Sequence, residues 1–188
     1  MPERQPPLEA QGLSLADLAA AIEARGGPPP VDRWNPPQCG NSDMRIARDG
    51  TWYYRGSPIE RPAMVRLFAT VLRREADGGH VLVTPAEKLA IDVECTAFRA
   101  TQMTMSGEGE QRRIGVTLDS GDALIVGPDH PLSVIATADG PSPRIAVRYG
   151  LEAELARPLY YELAEIALAE GHDPPGVWSD GRFFSLAA

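Results

Sequence analysis

Apolar residues near the start of the chain recur at helical spacing: Leu15, Leu18, Ala19 and Ile22 share one stripe. Ser14 stands before them as an N-cap with Asp17 three residues on, and Gly26-Gly27 followed by three prolines ends the segment. A charged, Pro-rich tail over 1–13 and a Pro-rich leash therefore bracket a short amphipathic helix. It is expected to dock on the main body, because its stripe would otherwise face water. Beyond an entry loop at 34–43 the period falls to two. Strands are predicted at 44–48 and 51–55, flanking the tight-turn dipeptide Asp49-Gly50. Arg61-Pro62 then opens a helix whose apolar face is Met64, Val65, Phe68, Val71 and Leu72, stopped by Asp77-Gly78-Gly79. Strands follow at 80–84, 88–93, 98–105, 112–118, 123–126, 132–136 and 144–149. Arg157-Pro158 opens a second helix to about Glu170, and Val177-Trp178 with Phe183-Phe184 close the chain as a hairpin around Asp180-Gly181. The second helix carries only Glu162 and Glu165 as a strongly polar stripe, so it is expected to be the more buried of the two.

The order of unlike features repeats. Asp49-Gly50, strand, Gly56, loop, Arg61-Pro62 and a helix ending near Leu72 come first. Asp139-Gly140, strand, Gly150, loop, Arg157-Pro158 and a helix ending near Leu168 come second, 96 positions on at the arginines. The helices align RPAMVRLFATVL on RPLYYELAEIAL. The expected fold is α+β: two pseudo-repeated halves of mainly antiparallel sheet, each with one long helix, divided as 1–31, 32–95 and 96–188. Arg61 and Arg157 are then equivalent residues.

Net charge of −8 over 188 residues argues against a general nucleic-acid or anionic-membrane binder. The balance is uneven, because from Met44 to Arg74 seven arginines face only Asp49 and Glu60. That excess is either a solvated surface or a seat for an anion. Cys39 and Cys95 lie 56 positions apart and fit neither a disulfide framework nor a metal pattern, so a reduced cytoplasm is the expected home. No signal peptide, apolar span, His-Glu-x-x-His or phosphate loop is recognisable, and no metal or cofactor is expected. His80, His130 and His172 are scattered, and Cys39 is read as a buried structural thiol rather than a nucleophile. No catalytic set emerges. The reading is of a binding protein rather than an enzyme.

The run WNPPQCGNSDMRIARDGTWYYRGSPIERP from Trp34, then VRLF and LVTPAEKLAIDVE, resembles the bacterial domain-of-unknown-function family 1285 over about 32–186. The chain departs from that pattern at Cys95-Thr96-Ala97, where an acidic residue and a proline are usual before the phenylalanine. The resemblance implies a cytoplasmic protein of two related α+β halves, the C-terminal one loosely pleckstrin-homology-like. It implies no established activity, but a groove between the halves suited to a nucleotide-like ligand, and a part in signal transduction.

Five residues are candidate ligand contacts. Arg61 and Arg157 begin helices, where free N–H donors and a guanidinium suit phosphate; their alternative is to fix the loop–helix join. Thr84 and Lys88 bracket a turn after a buried strand, and could instead be ordinary turn residues. Trp52 could stack on a base or simply fill the core. The expected function is a small-ligand sensor for a nucleotide-like or phosphorylated molecule bound between the halves. The other classes are a protein-interaction module and, last, a hydrolase using Cys39.

Overall fold

The computed structural model describes residues 29–188, so the expected helix at 14–22 lies outside the described residues. The first sheet is built from β1 (Gln38–Ile46), β2 (Trp52–Tyr54), β3 (Ser57–Pro58), β4 (Leu72–Arg74), β5 (His80–Val83) and β6 (Lys88–Val93). Helix α1 (Pro62–Thr70) joins β3 to β4. The second sheet is built from β7 (Phe98–Ser106), β8 (Arg113–Leu118), β9 (Ala123–Val126), β10 (Leu132–Thr137), β11 (Gly140–Arg148) and β12 (Leu151–Leu155). Helix α2 (Arg157–Glu170) and the hairpin β13 (Gly176–Ser179)–β14 (Arg182–Ser185) complete the chain.

The two sheets have the same topology. Their strand orders are β3-β2-β1-β6-β5-β4 and β10-β11-β12-β7-β8-β9. Each is a pair of three-stranded antiparallel meanders joined at the centre by one parallel contact, β1 with β6 and β12 with β7. The protein is thus α+β in two similar halves. The repeat legible in the sequence is real as local structure but sits out of phase with this symmetry. Its first copy is β1-β2-β3-α1, the opening meander of one sheet; its second is β10-β11-β12-α2, the closing meander of the other. Both copies turn on a pair of left-handed residues, Arg55-Gly56 and Tyr149-Gly150, with φ of 49° and 81° in one and 50° and 75° in the other. Such a turn matches the twist of paired strands and favours glycine second. Arg61 and Arg157 therefore begin helices that occupy different places in their sheets.

Several elements differ from the sequence pattern, beginning with β1, which starts at Gln38 inside the expected entry loop because it pairs there with β6. Helix α1 stops at Thr70, and Val71 and Leu72, expected on its face, are fully buried beside β5. Leu72 pairs with Leu82, and the Val71 carbonyl accepts the Val83 N–H at 2.8 Å. Asp77-Gly78-Gly79 accordingly closes a hairpin rather than a helix. The stretch read as loop before Arg157 is β12, whose Leu-Glu-Ala-Glu-Leu alternates buried and half-buried. Finally, α2 is not the more buried helix, because Tyr161 and Leu168 are 58% and 73% exposed on it.

One apolar cluster runs through both halves, from Trp52, Phe68 and Leu72 of the first to Phe98, Leu151 and Leu155 of the second. Polar ties cross the same junction. Arg74 N–H donates to the Tyr149 carbonyl at 3.1 Å, Arg99 Nη1 to the Arg48 carbonyl at 2.9 Å, and Arg148 Nη2 to the Ala69 carbonyl at 3.2 Å.

Candidate functional site

The junction leaves two recesses. The larger is a crevice of about 230 Å³ lined by Gly50, Thr51, Trp52, Ile59, Glu60, Pro62, Val65 and Arg66 from the first half and Asp119 from the second. It continues inward through Gly50, Trp52, Val65 and Asp119 to a pocket of about 40 Å³ against Ala69, Phe98 and Ser120. Its inner wall is buried and mostly apolar, while Glu60, Pro62 and Arg66 are exposed at its mouth. A broader basin of about 470 Å³ lies on the first sheet, lined by Asn41, Asp43, Met44, Arg45, Arg55 and Asp92. It is open surface within one half, and both its arginines are in ion pairs, Arg55 with Asp43 and Arg45 with Glu94. The crevice is the better ligand site because walls from both halves enclose it and apolar surface lines it.

The walls are held from behind. Trp52 lies 6.3 Å from Phe68 with the rings nearly parallel at 17°. Arg148 stacks on Phe98 at 5.1 Å, pairs with Asp122 at 3.0 Å and reaches the Ala69 carbonyl, and its Nε is buried with no partner among the described residues. Asp119 is exposed as a residue, yet its carboxylate turns inward. Oδ1 accepts the Arg99 N–H at 3.1 Å, and Oδ2 lies 2.7 Å from where a Cβ on Gly50 would stand. Enclosure pushes this carboxyl above the usual range against the pull of the Arg99 N–H. Gly50, at φ 88°, is the residue that lets the carboxylate approach.

Of the five residues singled out in the sequence, the crevice takes Trp52. Arg61 is the exposed residue before α1, next to two crevice residues, Glu60 and Pro62. Thr84 is buried in the β5–β6 turn, where its Oγ1 accepts the Ala86 and Glu87 N–H groups at 3.3 and 3.1 Å. Lys88 pairs with Glu75 at 3.4 Å, and Glu75 with Arg73 at 2.6 Å, a bridge that also holds the Val31 and Trp34 carbonyls through Arg73. Arg157 stands exposed at the start of α2 and lines none of these recesses. Asp119, Ser120, Phe98 and Arg66 carry no sequence signature of a site, since only the packing of one half on the other brings a β8–β9 turn to the flank of α1.

The run of arginines resolves in the same way. Five of the seven are in ion pairs: Arg45–Glu94, Arg48–Asp139, Arg55–Asp43, Arg73–Glu75 and Arg74–Glu152. Arg61 and Arg66, both at α1, have no ion pair among the described residues.

The second recess, about 30 Å³, is lined by Arg74, His80, Cys95, Thr96, Ala97, Arg144 and Glu152. It holds about one water's share of liquid volume. Burial and the neighbouring Glu154 carboxylate push the Cys95 thiol up, so it stays protonated and unreactive. Cys39 is exposed, contrary to the buried thiol expected, because it lies at a register shift on β1; its Sγ contacts the Pro37 carbonyl at 3.3 Å. Burial first, and Arg74 second, depress the pKa of His80 below its ordinary 6.5. The unfolded chain therefore binds this proton more readily. Stability from His80 is full above pH 6.5 and falls as pH drops below it toward the folded pKa. Urea unfolding of the wild type between pH 7.5 and 5 should show that loss, and His80→Gln should reduce the slope; an unchanged slope would refute the assignment. Among the described residues no cluster of three or more His, Cys, Asp or Glu has the arrangement of a metal site, and no helix is long and apolar enough to cross a membrane.

No curated protein matches the chain. It is similar over 95% of its length, at 41% identity and a TM-score of 0.83, to a DUF1285 family protein of Silicibacter pomeroyi DSS-3 whose crystal structure spans the match over 97% of its own chain. A DUF1285 family protein of Shewanella baltica OS155 shares the fold at 23% identity and a TM-score of 0.52, over 65% of this chain and 91% of its own. Models of the N-terminal and C-terminal domains of the family match residues 29–96 and 97–186, the two halves described above. By sequence and by fold the chain belongs to the DUF1285 family, a family of unknown function.

Proposed function

We propose that this protein is a regulatory ligand-binding module that takes a nucleotide-like or phosphorylated small molecule into the crevice between its halves. The observation that carries the reading is that both halves supply the walls. A ligand seated on Trp52, Val65 and Asp119 necessarily bears on how the halves pack. Arg66 at the mouth and Arg61 beside it are the two arginines of the run left unpaired among the described residues, and they suit a terminal phosphate. Two free cysteines fit a reducing cytoplasm. The crevice is lined mostly by apolar surface with a single arginine at its mouth, which supports a binding and signalling role.

A thermal-shift screen against nucleotides, cyclic and linear dinucleotides and phosphorylated metabolites tests this. A ligand at a hundred times its Kd adds about 2.7 kcal/mol. That raises the melting point on the order of 5–10 °C for a chain of this size. Arg66→Ala should lose most of the shift. A blank screen would remove the sensor reading. The exposed Tyr161 and Leu168, one helical face of α2, favour a second reading, a protein-interaction module. One reproducible partner in a pull-down, lost in Leu168→Glu, would support it.

A further inference from the structure

The crevice is not built for phosphate alone. Of its three charged lining residues two are carboxylates, Glu60 and Asp119, against the single cation Arg66. Asp119 is the one among them whose carboxylate is drawn inward, over Gly50 and toward the apolar end formed by Trp52, Val65, Ala69 and Phe98. An inward carboxylate accepts hydrogen bonds and repels acceptors, so whatever enters that end must present N–H or O–H donors.

Size narrows the class. A cavity of about 150 Å³ holds a benzene ring, and sites for whole drug-sized ligands begin at about 300 Å³. At about 230 Å³ the crevice holds a bicyclic ring and leaves a sugar and phosphate at the mouth. The walls suit a flat ring, since Ile59, Pro62 and Val65 offer aliphatic surface.

Resting on the nucleotide-like reading above, we infer that the ligand's base is guanine, with its N1–H and exocyclic amine donating to the Asp119 carboxylate inside the crevice. Guanine places two adjacent donors on one edge. Adenine sets a ring-nitrogen lone pair beside its amine, and uracil flanks its N–H with carbonyls; both turn acceptors toward the carboxylate. Oδ1 already accepts the Arg99 N–H and keeps a second lone pair, so both carboxylate oxygens can serve the base. Glu60 at the mouth accepts from ribose hydroxyls, and Arg66 meets the phosphate.

The test is calorimetric titration of the full chain with guanosine, guanosine 5′-monophosphate, their adenine, cytosine and uracil counterparts, and inorganic phosphate. Guanosine and its monophosphate should bind at least about tenfold more tightly than the adenine pair. Asp119→Asn should erase that preference. Asparagine keeps an oxygen for the Arg99 N–H, so the turn survives, but it opposes the base with an N–H₂. Nucleotides binding without base preference would overturn the guanine assignment and leave the nucleotide site standing, as would guanosine affinity unchanged in Asp119→Asn. Inorganic phosphate matching the monophosphate would overturn it too. Binding by none of the nucleotides would take the guanine assignment and the nucleotide-like reading down together. The base comparison on the wild type decides the matter even if the variant melts early.

Discussion

Phe98→Ala should lower the stability of the protein by about 4 kcal/mol, within the 3–5 kcal/mol typical of emptying a buried aromatic site. Phe98 is 2% exposed and opens β7 at the junction, where its ring touches the crevice on one side and the Arg148 guanidinium on the other. Alanine leaves a void that rigid β strands cannot close, and removes the ring on which a partly unsatisfied arginine rests. Chemical unfolding followed by fluorescence reads the loss. It should come as one transition, because a single apolar cluster spans both halves. A loss below about 1 kcal/mol, or two separate transitions, would mean that the halves do not share a core.

Glu170→Ala is the second large effect, about 3 kcal/mol. The Arg112 side chain is 8% exposed, and Glu170 at the end of α2 takes its Nη2 at 2.5 Å and its Nη1 at 3.3 Å. Removing the carboxylate leaves a buried guanidinium without a counter-charge, which costs about 3–5 kcal/mol when the partner is fully enclosed. Glu170 is 23% exposed, so solvent recovers part of that and the lower end applies. The Arg112 hydrogen bond holds the Glu170 carboxyl below its ordinary value. Stability from the pair is accordingly present above pH 4.5 and lost as pH falls through the lower folded value. Arg112→Met in the Glu170→Ala background should restore most of the loss, as a buried pair can often be replaced by apolar atoms. If the double variant is no more stable than Glu170→Ala, the unpaired charge is not the cause.

Much of the chain's local structure was legible because it depends on neighbours in sequence. Arg61-Pro62 and Arg157-Pro158 do begin helices, and Asp180-Gly181 does turn a hairpin, since proline and a left-handed glycine act within a few residues of themselves. The family, too, was readable from the motif at Trp34–Pro62 and the blocks after it. What failed were segments whose pattern suits two structures. Val71-Leu72 continues the helical stripe of α1, but backbone bonds to β5 claim it for a strand. Leu-Glu-Ala-Glu-Leu alternates with period two, yet its residues favour helices, and only pairing with β11 and β7 fixes it as β12.

The candidate site divides along the same line. Trp52 stood out by its type and its strand. Asp119 and Arg66 did not, because an acidic turn residue and a helix arginine are ordinary until a second half is packed against them. The local excess of arginine likewise changes meaning in three dimensions, where carboxylates neutralise five of the seven, three of them (Glu94, Asp139 and Glu152) from distant parts of the chain. The sequence by itself determined the elements with their own start and stop signals, the family, and the existence of a repeat. The tertiary structure alone decided the phase of that repeat, the strand that completes each sheet, and the residues that face one another across the crevice. Those depend on long-range pairing and burial, which no window of sequence contains.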